Sequence, residues 1–415
     1  MCYTYKDIVI NKFRYKVKRV LQMMKKRKEV SSNENYKKKI MKHKMAAVNR
    51  FLMVVAVVSL LALVVYMQYR DHVYTDYDYI SQSRMNKVVA SQSIRLGDCI
   101  LTYSNDGAHC TDMDGVEVWN QTYEMQSPVV KVCGNVVAIG DYNGREIYVL
   151  NTSEKICQIN TTMPIKNLAV AENGRVAVEV IDGKITWLYI YKTDGTMAYE
   201  KKTTMSQSGY PAAFSLSPNG ELLAMSCIFV DAGVVKSKVA FYNFGPVGEN
   251  NANYEVNAYT YPEVIIPYIE FLEDDTVVAV GDDRVLFYTG DQIPTFLTMH
   301  MLESEVQSVY QGNGHLGLSF RSDVLEMRNK MDVYSASAEK LGTYYFNNAF
   351  HDVMFTDKYF VAYGDSECTV MTYEHVNKYI GTFDKSVDLM MPVGKGRAYK
   401  FVLISDNTIN TIQMK

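Results

Sequence analysis

The sequence predicts an all-β fold, a β-propeller of eight four-stranded blades (alternative, seven), preceded by one transmembrane helix. Three observations carry this. Residues 51–67, FLMVVAVVSLLALVVYM, form an apolar run that only Ser59 interrupts and that holds no charge. From about residue 88, short runs of β-branched and aromatic residues recur between N-G and D-G turns, without long amphipathic helices. Those runs group in fours, at a spacing of about 35 to 50 residues that suits propeller blades.

The apolar run comes first in the argument. With Ala46, Ala47 and Val48 before it, a helix over residues 46–68 covers a hydrocarbon core of roughly 30 Å. Lys44 and Arg50 can snorkel to one interface, and Tyr66 and Tyr69 suit the other. Charge then gives an orientation. Residues 1–50 hold 16 Lys or Arg against Asp7, Glu29 and Glu34. The rest of the chain keeps 27 of the 43 basic and 43 of the 46 acidic residues, a net −16 against −3 for the whole. Short basic flanks stay inside, so residues 1–50 read as a cytoplasmic tail and the bulk as extracytoplasmic. A cleaved signal peptide is the competing reading. Its basic region would be about 50 residues long, and VYMQYRD after the run offers no small-residue cleavage site. A start at Met41 would shorten the tail and favour that alternative.

Within the tail, Ile10, Phe13, Val17, Val20, Leu21 and Met24 recur at helical spacing with Lys16, Lys18 and Arg19 between them. A basic amphipathic helix of this kind suits an anionic inner leaflet, although the charges also serve topology alone. No nucleic-acid partner is expected. Residues 69–87 follow the membrane as a juxtamembrane stalk, in which Tyr and Asp alternate at 76–79.

The propeller is assigned residues 88–415. Its clearest unit is SPVVKVC, NVVAIGDY, REIYVLN and KICQINT, between residues 127 and 161. A unit from Ser91 precedes it, and others start near Pro164, Pro211, Ile265, Glu305 and Phe350. The last, from Val387, stops after three strands. Stacking such sheets radially hides both apolar faces of each, and closing the ring protects the ends. The missing outer strand is expected from residues around Met85–Ala90. The long unit near 230–265 is what keeps seven blades open as the alternative.

Two strand–turn–strand segments, CTDMDGVEVWNQ (110–121) and YKTDGTMAYEKK (191–202), match each other. The first resembles the repeat of pyrroloquinoline-quinone-type propellers, with Asp112, Gly115 and Trp119 at its motif positions. The resemblance implies that Trp119 docks adjacent blades. FSLSPNGELLA (214–224) is similar to a segment of many propeller repeats. The layout of tail, anchor and propeller is similar to an uncharacterised group of clostridial (Gram-positive) single-pass membrane proteins. Quinone dehydrogenases of the resembled family use adjacent cysteines and calcium, and no two cysteines here are adjacent.

Six of the seven cysteines follow the apolar run, and most lie in apolar strand-like segments as buried thiols. Cys99 and Cys110 are the best disulfide candidates, because both lie in one hairpin. No spacing of His, Cys, Asp or Glu marks a metal site, and no catalytic residue or cofactor site is assigned. Acidic turns at Glu273–Asp275, Asp282–Asp283 and Asp141 read as local backbone acceptors. The expected function is a membrane-displayed propeller that binds an unknown protein or glycan, as a scaffold or sensor. The alternative is an extracytoplasmic glycan hydrolase or lyase with its site in the central funnel. Charged residues of three or more blades converging at one end of the axis would favour that alternative.

Overall fold

The computed structural model of the protein describes residue 16 and residues 34–85, 90–183, 185–204, 209–394 and 399–415. It divides into two compact units, Met1–His72 and Val73–Lys415.

The first unit is a helix, Glu34–Asp71. Within it, Lys44–Gln68 is long and apolar enough to cross a membrane, and none of that stretch is buried. At 1.5 Å per residue the 25 residues span about 37 Å. Lys16 is helical and exposed. Lys18 and Arg19 lie outside the described residues, so the amphipathic tail is not described beyond Lys16.

The second unit is a propeller of eight four-stranded antiparallel sheets. Blade 1 has strands Gln92–Leu96, Cys99–Tyr103, Gly107–Thr111 and Glu117–Thr122. Blade 2 starts at Pro128, blade 3 at Ile165, blade 4 at Tyr210 and blade 5 at Tyr268. Blade 6 starts at Ser308, blade 7 at Asp352 and blade 8 at Leu389. The ambiguous unit near 230–265 is a single blade. Its second and third strands, Leu222–Asp231 and Val234–Asn243, are ten residues each, and a short helix, Pro246–Glu249, precedes its outer strand.

Burial explains why these residues make these sheets. Second strands such as Thr276–Val280 and Tyr359–Tyr363 are buried along their whole length. The outer strand Glu117–Thr122 is half-buried at best. A middle strand is covered on both faces by neighbouring blades, so its sequence is a continuous apolar run rather than an alternation. Eight hydrophobic clusters result, one at each seam between consecutive blades. The seam between blades 8 and 1 is made by Ile100 with Met85, Leu389, Met391, Val402, Ile404 and Ile409.

The turns after the first strands are also joined from blade to blade. The Gly97 amide donates to the Gly134 carbonyl (3.1 Å), and the Glu172 amide to the Pro218 carbonyl (2.8 Å). The Asn219 amide donates to Asp274 Oδ1 (2.7 Å), and Asn313 Nδ2 to Asp357 Oδ1 (2.9 Å). In blades 1 to 7 the pairing of third and fourth strands carries a register shift near the turn, at Cys110/Thr111 and its equivalents. Such bulges increase local twist.

Closure differs from the sequence expectation. The fourth strand of blade 8 is Tyr77–Arg84, antiparallel to Thr408–Met414, with Tyr77 opposite Met414 and Arg84 opposite Thr408. It lies in the segment read as a stalk, and not at Met85–Ala90, of which residues 86–89 lie outside the described residues. The alternation of Tyr and Asp that suggested a stalk is that of an edge strand. The Tyr77 ring packs edge-on against Phe383, and the Lys415 amide donates to the Asp76 carbonyl (2.8 Å).

Ile412 is fully buried at the seam of blades 7 and 8. Ile412→Ala is expected to lower stability by about 2–5 kcal/mol in urea unfolding. Val230→Ala, at a side chain 63% exposed, should stay within about 0.5 kcal/mol.

Candidate functional site

The first strands of neighbouring blades pack against one another, so they are the inner strands and line an axial channel. A cavity of about 720 Å³ runs along the inner strands of blades 1, 6, 7 and 8. Its polar lining includes Ser93, Arg95, Gln311, Asp352, Asp357 and Asp388. Asp352 opens its strand, and its Oδ2 accepts from the Tyr363 hydroxyl (2.8 Å). Burial and the neighbouring Asp352 raise the pKa of Tyr363, so that phenol remains protonated.

Farther round the wall, Glu270 of blade 5 sits between its neighbours. Its Oε1 accepts from the Ser215 hydroxyl of blade 4, and Gln311 of blade 6 hydrogen-bonds the same carboxylate. Enclosure by protein raises its pKa, while the Ser215 bond and the charge of Lys131 from blade 2 pull it back. Glu172, Glu270 and Asp274 also act on Cys133 of blade 2, whose thiol is pushed up to about 12, chiefly by burial. A thiol held there is a poor nucleophile at neutral pH.

The turn side of the channel brings charge from four blades toward one mouth: Arg95, Glu172, Asp274 and Asp357. Asp274 and Asp357 are at the same time acceptors for the turns of neighbouring blades. Asp141 does similar work elsewhere, its Oδ1 accepting from the amides of Gln126 and Ser127. The turn acids Asp141 and Asp274 therefore bind backbone donors, and Asp357 binds a side-chain amide. Among the described residues, no group of three His, Cys, Asp or Glu is arranged to hold a metal ion.

The blade-docking and disulfide candidates, Asp112, Gly115, Trp119, Cys99 and Cys110, lie in blade 1 outside its inner strand. Asp112 Oδ1 accepts from the amides of Asp114 and Val116, both at 2.9 Å. Gly115 has φ +87°, and a Cβ there would approach the Arg84 carbonyl to 2.7 Å. That turn therefore abuts the closing strand. The Trp119 indole donates to the Asn151 carbonyl of blade 2 (2.9 Å) and packs at the seam of blades 1 and 2. Tyr199 occupies the matching place in blade 3, donating to the Asn253 carbonyl of blade 4 (3.1 Å). Cys99 and Cys110 are free thiols. They hydrogen-bond each other from adjacent strands.

Three carboxylates inside strands were not singled out in the sequence: Glu179 and Asp332, which are buried, and Glu270, which is half-buried. Glu179, at the seam of blades 3 and 4, is 7% exposed, and its Oε1 has no hydrogen-bond partner among the described residues. The only signal is an acid inside an apolar strand run, as in VAVEVID and YIEFLE.

Fold and channel together define the class: a β-propeller with a polar axial channel, preceded in the chain by an apolar helix. The chain belongs to the Family of unknown function (DUF5711), which it matches over residues 70–414. Among curated proteins none matches the sequence. Among solved structures, Sqt1 from Saccharomyces cerevisiae is similar with a TM-score of 0.50 and 10% identity, covering 83% of this chain and 99% of that one. Sqt1 from Chaetomium thermophilum gives 0.50 and 12%, covering 82% and 100%. BamB from Moraxella catarrhalis gives 0.48 and 10%, covering 82% and 100%. At these identities the likeness to the Sqt1 structures bears on the fold alone.

Burial raises the Glu179 pKa from 4.5 to about 7, with Lys166 opposing. The native state holds this proton more tightly than the unfolded chain. Its contribution is present below about pH 4.5 and is lost as pH rises to about 7, a difference on the order of 3 kcal/mol. Glu179→Gln should therefore raise stability at pH 8 and leave it nearly unchanged at pH 4, measured by urea unfolding at both.

Proposed function

We propose that this is a single-pass membrane protein that holds a binding propeller outside the cytoplasm, as a scaffold or sensor. The observation that carries the reading is the pairing, in one chain, of an unburied apolar helix Lys44–Gln68 with a basic segment before it and an acidic propeller after it. Positive charge on the short side fixes such an anchor with its N-terminus in the cytoplasm. Lys16, Lys18 and Arg19 then face the anionic inner leaflet. The ligand would be a protein or glycan taken at the channel or its mouths. In this reading the Asp112–Gly115–Trp119 repeat serves blade docking, as in pyrroloquinoline-quinone-type propellers, and the layout is that of the clostridial membrane proteins it resembles. Cys99 and Cys110, already neighbours, are free to oxidise to a disulfide in that compartment.

A second reading keeps one supporting observation. Charged residues from four blades approach the turn-side mouth, the arrangement expected of a glycan hydrolase or lyase site. Turnover of a cell-surface glycan by the purified chain would favour it.

Protease added to intact cells should digest the propeller and leave an epitope on the N-terminal tail protected. Digestion of the tail with protection of the propeller, or protection of both, would contradict the topology.

A further inference from the structure

We propose that the outer strand of blade 5, Thr295–Met301, is a docking edge to which a partner protein adds one extended β-strand. The site lies on the rim of the ring, apart from the channel, and holds whether or not the chain spans a membrane.

Composition sets this strand apart. Each blade leaves its fourth strand as an open edge, a row of main-chain donors and acceptors that invites pairing with another chain. In seven blades that strand carries at least one Asp, Glu, Lys or Arg, as in EVWNQT and MAYEKKT, and charge on an edge discourages such pairing. TFLTMHM of blade 5 carries none. It exposes four large apolar side chains, Phe296, Leu297, Met299 and Met301, whereas no other outer strand exposes more than two. Its one titratable group, His300, is turned to blade 6, with Nε2 at 2.9 Å from the Ala338 carbonyl.

The direction of the main chain says what fits. The Leu302 amide donates to the Asp283 carbonyl (2.8 Å). From there His300 lies opposite Val285 and Thr298 opposite Phe287. Hydrogen-bonded pairs alternate along an antiparallel ladder, so Thr298, His300 and Leu302 bond inward. Met299 and Met301 therefore turn their N–H and C=O groups outward, where they have no partner among the described residues. Phe296 and Met299 lie opposite Tyr288 and Leu286 and share their face toward blade 4, where the Tyr259 hydroxyl accepts from the Phe296 amide (3.0 Å). An added strand meets the two outward donors and two outward acceptors and lays alternate side chains over this apolar face. A helix has no free main-chain groups along its length to do so.

Charge separates a partner strand from a second copy of this chain. Asp291 precedes the strand and Glu303 and Glu305 follow it, all exposed. Residues 282–330 hold seven Asp or Glu against four Lys or Arg, namely Arg284, Arg321, Arg328 and Lys330. Two of those cations are already engaged, Arg284 by Asp283 (2.6 Å) and Lys330 by Glu303 and Asp323 (3.5 and 3.6 Å). Antiparallel pairing of two copies through this strand sets Asp291 of each toward Glu303 and Glu305 of the other. Like charges so placed are destabilising, so the edge fits a strand with an uncharged middle and neutral or basic flanks.

The test is hydrogen exchange on the full chain, with a synthetic peptide of alternating threonine and valine flanked by lysine as the probe. The probe is expected to slow the Met299 and Met301 amides about tenfold or more, and to leave those of Thr276–Val280 unchanged. The same peptide N-methylated throughout, or flanked by glutamate, should protect them little. Met299→Lys, which gives blade 5 the charge its fellow outer strands carry, should abolish protection of the Met301 amide. Met299→Pro, which removes one outward N–H and no ladder bond, should do the same, and keeps the test open if the first variant fails to fold. Unchanged exchange at Met299 and Met301 at the highest soluble concentration of the probe overturns the proposal. Protection of these amides without probe, rising with the concentration of the chain, overturns it in favour of a second copy.

Discussion

The ring depends on one strand pairing, that of Tyr77–Arg84 with Thr408–Met414. Seven blades take all four strands from one continuous stretch each, and the eighth does not. Without Tyr77–Arg84, blade 8 would end in an open edge, and Ile412 and Met414, buried at its seam with blade 7, would lose cover. Bringing together segments more than 300 residues apart costs chain entropy, but that cost grows only with the logarithm of loop length. Bonds at either end of the pair help offset it: Met85 to the Asn407 carbonyl and Lys415 to the Asp76 carbonyl, both at 2.8 Å.

The same closure sets the conditions for function. Every inner strand faces the axis because the middle strands are used up in burying the seams. The channel therefore gathers side chains that are remote in sequence, such as Arg95, Gln311, Asp352 and Asp388. Polar groups along it are held by partners. Glu270 is bonded by Ser215 and Gln311, and Asp352 by Tyr363. Such prearranged donors and acceptors suit recognition of a polar ligand, since little ordering remains to be done on binding. The turn acids Asp274 and Asp357 link neighbouring blades at the mouth, so ligand contact there would be felt by the ring itself.

How much of this was legible in the sequence follows from where each signal lives. Middle strands such as VVAIGD and TVVAV carry unbroken apolar runs between turns rich in Gly, Asn and Asp, so the repeated units and their order could be read, although the long unit near 230–265 left seven blades open beside eight. The helix was legible for the same reason, as an apolar run without charge. The closing strand was not. Tyr77–Arg84 is exposed along most of its length, so YDYISQSR has no core face to mark it as a strand. Its role is set by a partner at the other end of the chain. The cavity was illegible because its walls come from blades 1, 6, 7 and 8, which share no local pattern. Glu179 and Glu270 stood in plain view inside apolar runs, but only packing distinguishes the bonded carboxylate from the one whose Oε1 lacks a partner.

The most direct measurement of closure is hydrogen exchange on the full chain, followed at the amides of Thr408–Met414 that point toward Tyr77–Arg84. Closure by that strand requires them to exchange as slowly as the buried strand Thr276–Val280, in the same cooperative opening. Exchange at those amides orders of magnitude faster, with Lys400–Ser405 still protected, would mean that blade 8 has only three strands and the ring is shut in some other way.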